Sequence, residues 1–430
     1  MQQLAFFEPA KDEAIPQERR SSTTFLDNMA LPVHRWFRYS AGFSALWAHD
    51  VLEAERAKGR TRVFDPFAGS GTTLLEAEKA GVLAIGAEAH PFVARIARAK
   101  LLWREPPQEF LKYGLRVLKI AKSMGPPEVK PSGLLEKCFP PHTLRLLEAI
   151  KVAWEECAEG GPLSELSWLA LISILRSCSP VGTAQWQYVL PSKSKARALA
   201  PFEAFEEKVR GMAYDMARCQ QRKNGAQARL YPRDVREASG LPENWADLVI
   251  TSPPYVNNYD YADATRLEMT FMGEIEGWGD LQDAVRVHLV RSCTQHVASL
   301  SAMTEDLIGH PRLCPIRDSL RRVCSSLSVE RERHGGRKPY DALVAAYFLD
   351  MAKVWDTLRR VASPGALVCF VVGDSAPYGV HVPVERWLGE LAVSAGFSAW
   401  RFEKTRDRNI RWKNRKHRVP LQEGRLWVKG

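Results

Sequence analysis

The 430-residue sequence predicts an α/β fold, a mostly parallel sheet carrying large helical insertions, and three observations support that prediction. The first is an alternation that begins at residue 62: RVFDP, the turn FAGSG, the helical pattern TTLLEAEKAG, the apolar run VLAIGAE and the helical pattern HPFVARIARAKL. Strands alternating with helices build parallel sheets, because each crossover needs a helix to return the chain. The second is a change to helical periodicity, where LLEAIKVAWEEC, ELSWLALISILRSC and FEAFEEKVRGMAYDMARC place apolar residues three or four apart. The third is the return of strand-like runs, ARLYP, ADLVI and ALVCFVVG.

In order, residues 1–20 mix Pro, Glu, Lys and Arg without periodicity and read as a loose arm. Segment 21–102 leads from the aromatic stretch LPVHRWFRYSAGFSALWAHDVL into the first strands and helices. Segment 103–225 reads as an all-helical insertion, 226–272 carries ARLYP, ADLVI and a Pro-rich turn, and 273–362 is again mainly helical. Segment 363–430 completes the sheet with ALVCFVVG, a helix around 384–396, then SAWRFEK and GRLWVKG flanking a basic connection.

Composition narrows the class of protein. Hydrophobic residues make up 45% and charged residues 26%, which suits a globular chain rather than a disordered or fibrous one. Lys and Arg outnumber Asp and Glu by 60 to 50, a balance compatible with a polyanionic partner. None of the eight cysteines forms a CxxC pair, so zinc knuckles and a disulfide framework are not expected, and isolated thiols suit a reducing compartment. The sequence has no uninterrupted apolar run of about 18 residues, so the expectation is a cytoplasmic protein with no membrane partner and no metal.

Three motifs carry chemistry. Asp65, Pro66, Phe67, Ala68, Gly69, Ser70, Gly71 and Thr72 stand between a strand and a helix, where glycines let the backbone approach a ligand at the carboxyl end of the strand. A Walker loop would need Gly-Lys-Ser/Thr, which is missing. Glu88 ends the next strand, where a carboxylate can accept hydrogen bonds from both ribose hydroxyls of a nucleoside cofactor. Ser252, Pro253, Pro254 and Tyr255 directly follow ADLVIT; the prolines remove two N–H donors and leave carbonyls free to face a substrate, while the tyrosine offers a ring for stacking.

DPFAGSGTT followed by GAEAHP and then TSPPY resembles the amino-methyltransferases of DNA, which modify N4 of cytosine or N6 of adenine. The resemblance implies a class I, Rossmann-like methyltransferase sheet of seven strands and S-adenosyl-L-methionine as cofactor. Asp65, Phe67, Gly69 and Gly71 match the family's cofactor loop, and Ser252 to Tyr255 match its catalytic tetrapeptide. Asp234, in LYPRDVRE, is similarly placed to the acidic contact to the cofactor adenine, and Phe43, in YSAGFSA, is similar to the residue packed on the methionine end. The implied substrate is a base flipped out of double-stranded DNA, with cytosine N4 favoured by Ser252 and adenine N6 as the alternative. A cognate restriction endonuclease is an implied partner. Two further readings stay open, an RNA base methyltransferase and a catalytically silent nucleic-acid-binding subunit.

The sequence departs from the simplest family layout through its two helical segments, and 103–225 is the candidate for target recognition. Within it, GTAQWQYVLPSKSKAR combines Trp186 and Tyr188 with Lys193, Lys195 and Arg197, a mixture suited to stacking and phosphate contact. Lys404, Arg406, Arg408, Arg411, Lys413, Arg415, Lys416 and Arg418 are expected in one loop on the substrate side of the sheet, eight cations placed to meet phosphates.

Overall fold

The computed structural model describes residues 25–430 apart from 126, 129–132, 185–186, 222–224, 238, 301 and 409–418. After two short 3-10 helices, Phe25–Ala30 and His34–Trp36, comes α1 (Ala45–Arg56), whose first turn is capped by the Ser44 hydroxyl accepting the Trp47 N–H. The alternation from residue 62 follows as β1 (Arg62–Asp65), α2 (Thr72–Ala80), β2 (Leu83–Ala87) and α3 (Pro91–Leu101).

Segment 103–225 folds as α4 (Pro107–Met124), α5 (Gly133–Cys138), α6 (Pro141–Cys157) and α7 (Pro162–Cys178), then β3 (Val181–Thr183), β4 (Val189–Ser194) and α8 (Pro201–Gln220). Four of these helices open on proline, whose fixed φ and missing N–H fit the first helical turn. The expectation of an all-helical insertion is therefore corrected. Pro180 stops α7, and β3 and β4 pair antiparallel in a small separate sheet. That hairpin is held by long-range contacts, which helical periodicity cannot register.

The remainder runs through β5 (Arg229–Tyr231), β6 (Ala246–Thr251), α9 (Arg266–Met272), α10 (Leu281–Ala284), α11 (Thr304–Gly309), α12 (Arg317–Arg333) and α13 (Tyr340–Val361). It ends with β7 (Ala362–Gly373), α14 (Val384–Ser394), β8 (Ala399–Arg408) and β9 (Leu421–Lys429). A second correction follows. Lys404, Arg406 and Arg408 belong to β8 rather than to a loop, because β8 continues well past SAWRFEK to pair with β9.

Seven strands form one sheet in the order β5-β2-β1-β6-β7-β9-β8. The first five are parallel to their neighbours, and β9 runs antiparallel to both β7 and β8. Both faces are covered, which is why the central strands read as nearly continuous apolar runs. Alternate side chains divide between two cores: Val63, Leu248, Ile250 and Val371 join α3, α7 and α8 on one face, and Phe64, Val249, Phe370 and Val372 join α13 and α14 on the other. No helix among the described residues is long and apolar enough to cross a membrane.

Candidate active site

The strand order reverses between β1 and β6, since the chain proceeds outward from β1 to β2 and β5 on one side and from β6 to β7 on the other. A crevice opens at such a reversal because the loops leaving adjacent strands turn apart. Its floor is stitched by hydrogen bonds. Thr251 Oγ1 donates to Asp65 Oδ1 at 2.6 Å, the Phe67 N–H donates to the same oxygen at 3.1 Å, and Thr73 Oγ1 donates to the Ile250 carbonyl at 3.3 Å.

A cleft open to solvent lies above this floor. It is lined by Phe43, Pro66, Phe67, Ala68, Gly69, Ser70, Thr72, Glu88, Asp234, Ser252 and Pro254, so eleven residues singled out in the sequence meet in one place. Four others stand behind or beside the lining: Asp65 and Pro253 are buried, Gly71 packs on Ala97 of α3, and the Tyr255 ring faces Arg408.

The glycine turn needs its glycines. Gly69 and Gly71 have φ of 53° and 89°, in the left-handed region that side chains disfavour, and a Cβ at 69 would lie 3.3 Å from Tyr39 Cε1. Tyr39 thus closes over the turn. The residue is delivered there by the aromatic stretch, whose Val33 N–H, Arg35 guanidinium and Trp36 Nε1 all donate to the buried Asp215 of α8. Asn28 bonds the Phe43 carbonyl and the Ala45 N–H, fixing Phe43 on the cleft wall.

Two carboxyls dominate the electrostatics, the buried Asp65 and the half-buried Glu88. Glu88 accepts the Gly69 N–H at 2.7 Å and the His90 N–H at 2.8 Å, and burial pushes its pKa up to about 7. Burial likewise pushes Asp65 up to about 6, and Asp65 Oδ2 has no hydrogen-bond partner among the described residues. Asp234 also reaches the cleft, but its carboxylate is gripped by the Arg236 guanidinium, which in turn bonds the buried Asp350.

On the β6 side, Ser252 Oγ donates to the Val371 carbonyl at 3.2 Å, and the Tyr255 N–H donates to Tyr261 Oη at 3.1 Å. Tyr261 lines the cleft and packs edge-on against Tyr259, with ring centroids 4.5 Å apart. Burial raises the tyrosine hydroxyls of this segment, so they stay neutral over the ordinary pH range. Asp260, between them, is held by Arg286 at 2.7 Å; Cys293 and His296 converge on the same carboxylate, whose charge the guanidinium already matches.

Sequence reasoning missed Tyr39, His90, Tyr261, His288, Leu289 and Val290, all of which line the cleft. Tyr39 and His90 stand inside the segments YSAGFSA and GAEAHP, and Tyr261 in YDY at 259–261, a short step beyond TSPPY, but none was singled out. The basic candidates divide. Lys193 is exposed on β4, whereas Lys195 Nζ turns inward to the Arg176 carbonyl. Arg408 lies over the Tyr255 ring, and Arg411, Lys413, Arg415, Lys416 and Trp186 fall outside the described residues.

No protein-family model and no solved structure matches the chain. Curated relatives do. The type II methyltransferase M.AvaI of Nostoc sp. is 25% identical over 406 residues, covering 88% of this chain and 82% of the relative, and M.AvaI of Anabaena variabilis matches equally. The type II methyltransferase M.BsoBI of Geobacillus stearothermophilus is 24% identical over 424 residues, covering 88% and 81%. Over most of its length, then, the chain is similar to proteins named type II methyltransferases.

Proposed function

We propose that this chain is a site-specific DNA methyltransferase that moves a methyl group from S-adenosyl-L-methionine to the exocyclic amine of a flipped base, N4 of cytosine being favoured. The observation that carries the reading is the meeting of the glycine turn, Glu88 and two members of the tetrapeptide, Ser252 and Pro254, in one cleft at the reversal of strand order, with Pro253 and Tyr255 directly beside it. Strand order and the lone antiparallel β9 support a class I methyltransferase fold, and the names of the relatives support the reaction.

The residues suit that cofactor. Glu88 lines the cleft and keeps lone pairs free for ribose hydroxyls, and Val235, Leu289 and Val290 give apolar walls for a purine. The first turn of α2 has no side-chain cap, so its N–H groups are available to a carboxylate. When bound, S-adenosylmethionine supplies an electrophilic methyl on a positively charged sulfur.

The chain's own task is positioning. An aromatic amine is a weak nucleophile because its lone pair is delocalised into the ring. Hydrogen bonds from the NH₂ to Ser252 Oγ and to the Pro253 carbonyl hold the nitrogen toward tetrahedral geometry and aim the pair. Tyr255 stacks on the base, and the proton that the amine loses on gaining the methyl passes to water. Fixed geometry and dipoles thus provide the acceleration. This reading implies a cytoplasmic enzyme and a cognate restriction endonuclease as partner.

The test is expression in a methylation-free host, digestion of its DNA to nucleosides and mass spectrometry. N4-methylcytosine is the expected product. N6-methyladenine alone would move the target base while keeping the amine chemistry, and modification confined to RNA, or none, would overturn the reading.

A further inference from the structure

Arg408 is the last residue of β8, yet its side chain reaches the tetrapeptide that follows β6. The guanidinium carbon lies 5.3 Å from the centroid of the Tyr255 ring. Two anchors set its course: Nη1 donates to the Asp374 carbonyl at 2.8 Å, and Nε lies 3.7 Å from Glu423 Oε2. Glu423 on β9 is only 5% exposed and also binds Arg406, so the anchoring carboxylate is itself fixed. The path crosses Gly373 at the end of β7, where a Cβ would sit 2.7 Å from Arg408 Nη1. A side chain at 373 would displace the arginine.

We infer that Arg408 is a positioning residue that locks the Tyr255 ring in its stacking orientation. The inference deepens the methyltransferase reading and rests on it. Tyr255 is held at its backbone by Tyr261 Oη and at its hydroxyl by Ser252, two points on the edge of the residue that leave the face of the ring to be fixed by what covers it. A cation over that face restrains it, and arginine alone combines a permanent charge, a flat stacking surface and donors for two separate anchors. Lysine retains the charge over the ring but not the fork. Arg408 does not meet the reacting atoms; it acts through Tyr255.

The experiment uses the full chain with genomic DNA from a methylation-free host and a radiolabelled methyl donor. Arg408→Gln is expected to lower kcat about tenfold or more, the scale on which misplacing a substrate-aligning group acts. Cofactor affinity by calorimetry, KM for DNA and Tm should stay near wild type, and Arg408→Lys should recover part of kcat. Gly373→Ala should reproduce the loss while Arg408 is still present, and combining it with Arg408→Gln should add little, because both remove one contact. An unchanged kcat in Arg408→Gln overturns the inference. So does a loss matched by weaker cofactor binding or a lower Tm, which would make the arginine merely structural. No methyl incorporation by the wild type would instead remove the underlying function, and the inference with it.

Discussion

The ends of β1 and β6 are stitched together by the Thr251–Asp65 hydrogen bond, yet they are built from different chemistry. The β1 side has a glycine turn and two carboxyls, Asp65 and Glu88, whose pKa values desolvation moves to about 6 and about 7. The β6 side has two prolines, a serine and tyrosines whose hydroxyls burial raises out of the ordinary range. One side can answer charge and hydroxyl donors, and its charge depends on pH near neutrality. The other presents rings and neutral acceptors of constant state. That division is what a site needs when a charged cofactor and an uncharged aromatic amine must meet.

The sharpest way to break this comparison is to remove the ring on the β6 side. Tyr255→Ala is expected to lower turnover roughly tenfold to a hundredfold, since stacking on a base contributes about 1–3 kcal/mol. Cofactor affinity should be unchanged, because the ring is not among the residues lining the cleft. Single-turnover kinetics with parallel calorimetry separate the two effects. Equal losses in both would show that the two strand ends are not functionally distinct.

The β1 side should respond in affinity and in pH. Glu88→Ala should weaken cofactor binding about tenfold or more, the 1.4 kcal/mol scale of one hydrogen bond to a charged group. In the wild type the carboxylate form binds hydroxyl donors, so affinity should fall as pH drops below about 7, by up to roughly tenfold per unit for a single proton. Stability runs the opposite way. Between the usual carboxylate range and about 7 the unfolded chain has already lost a proton that folded Glu88 keeps, so this group destabilises the free protein as pH rises through that window. Glu88→Gln should flatten both profiles, as calorimetry across pH 5.5–8.5 would read.

The turn and the acid of the β1 side were legible in the sequence, and the reason is physical. They form one continuous turn plus one strand-end acid, so the spacing of DPFAGSGTT and Glu88 states their geometry directly. The tetrapeptide was equally readable for the same reason. His288, Leu289 and Val290 reach the cleft from a separate segment that only packing brings there, and no local pattern marks them. Arg408 was read as one cation in a basic run because charge spacing is blind to the absent Cβ of Gly373 that lets it reach Tyr255. The hairpin of β3 and β4 was hidden likewise. Its Gln187 accepts hydrogen bonds from the Ser40 N–H and hydroxyl, and its Tyr188 pairs with the Asp260 backbone, partners 147 and 72 residues away.

That hairpin supplies the smallest effect, and it tests whether the β6 side extends onto DNA. Lys193 and Lys195 are equivalent in composition but not in structure. Lys193 projects from β4 into solvent, while Lys195 gives its ammonium to the Arg176 carbonyl, at the end of the arginine that also holds Glu268 and the Ala264 carbonyl. A solvated ammonium that meets a phosphate releases a counterion, whereas one bonded within the protein has no counterion to release. Lys193→Ala is therefore expected to reduce the slope of log affinity for DNA against log salt by about 0.9, with Tm unchanged. Lys195→Ala should leave that slope intact and lower stability by about 1 kcal/mol, the net worth of a buried hydrogen bond. Titration of duplex DNA at several salt concentrations, with thermal melts of both variants, reads the pair. An unchanged slope in Lys193→Ala would confine DNA contact to surfaces other than this hairpin, and equal slopes with equal melting losses would mean that the two lysines are merely parts of the same strand edge.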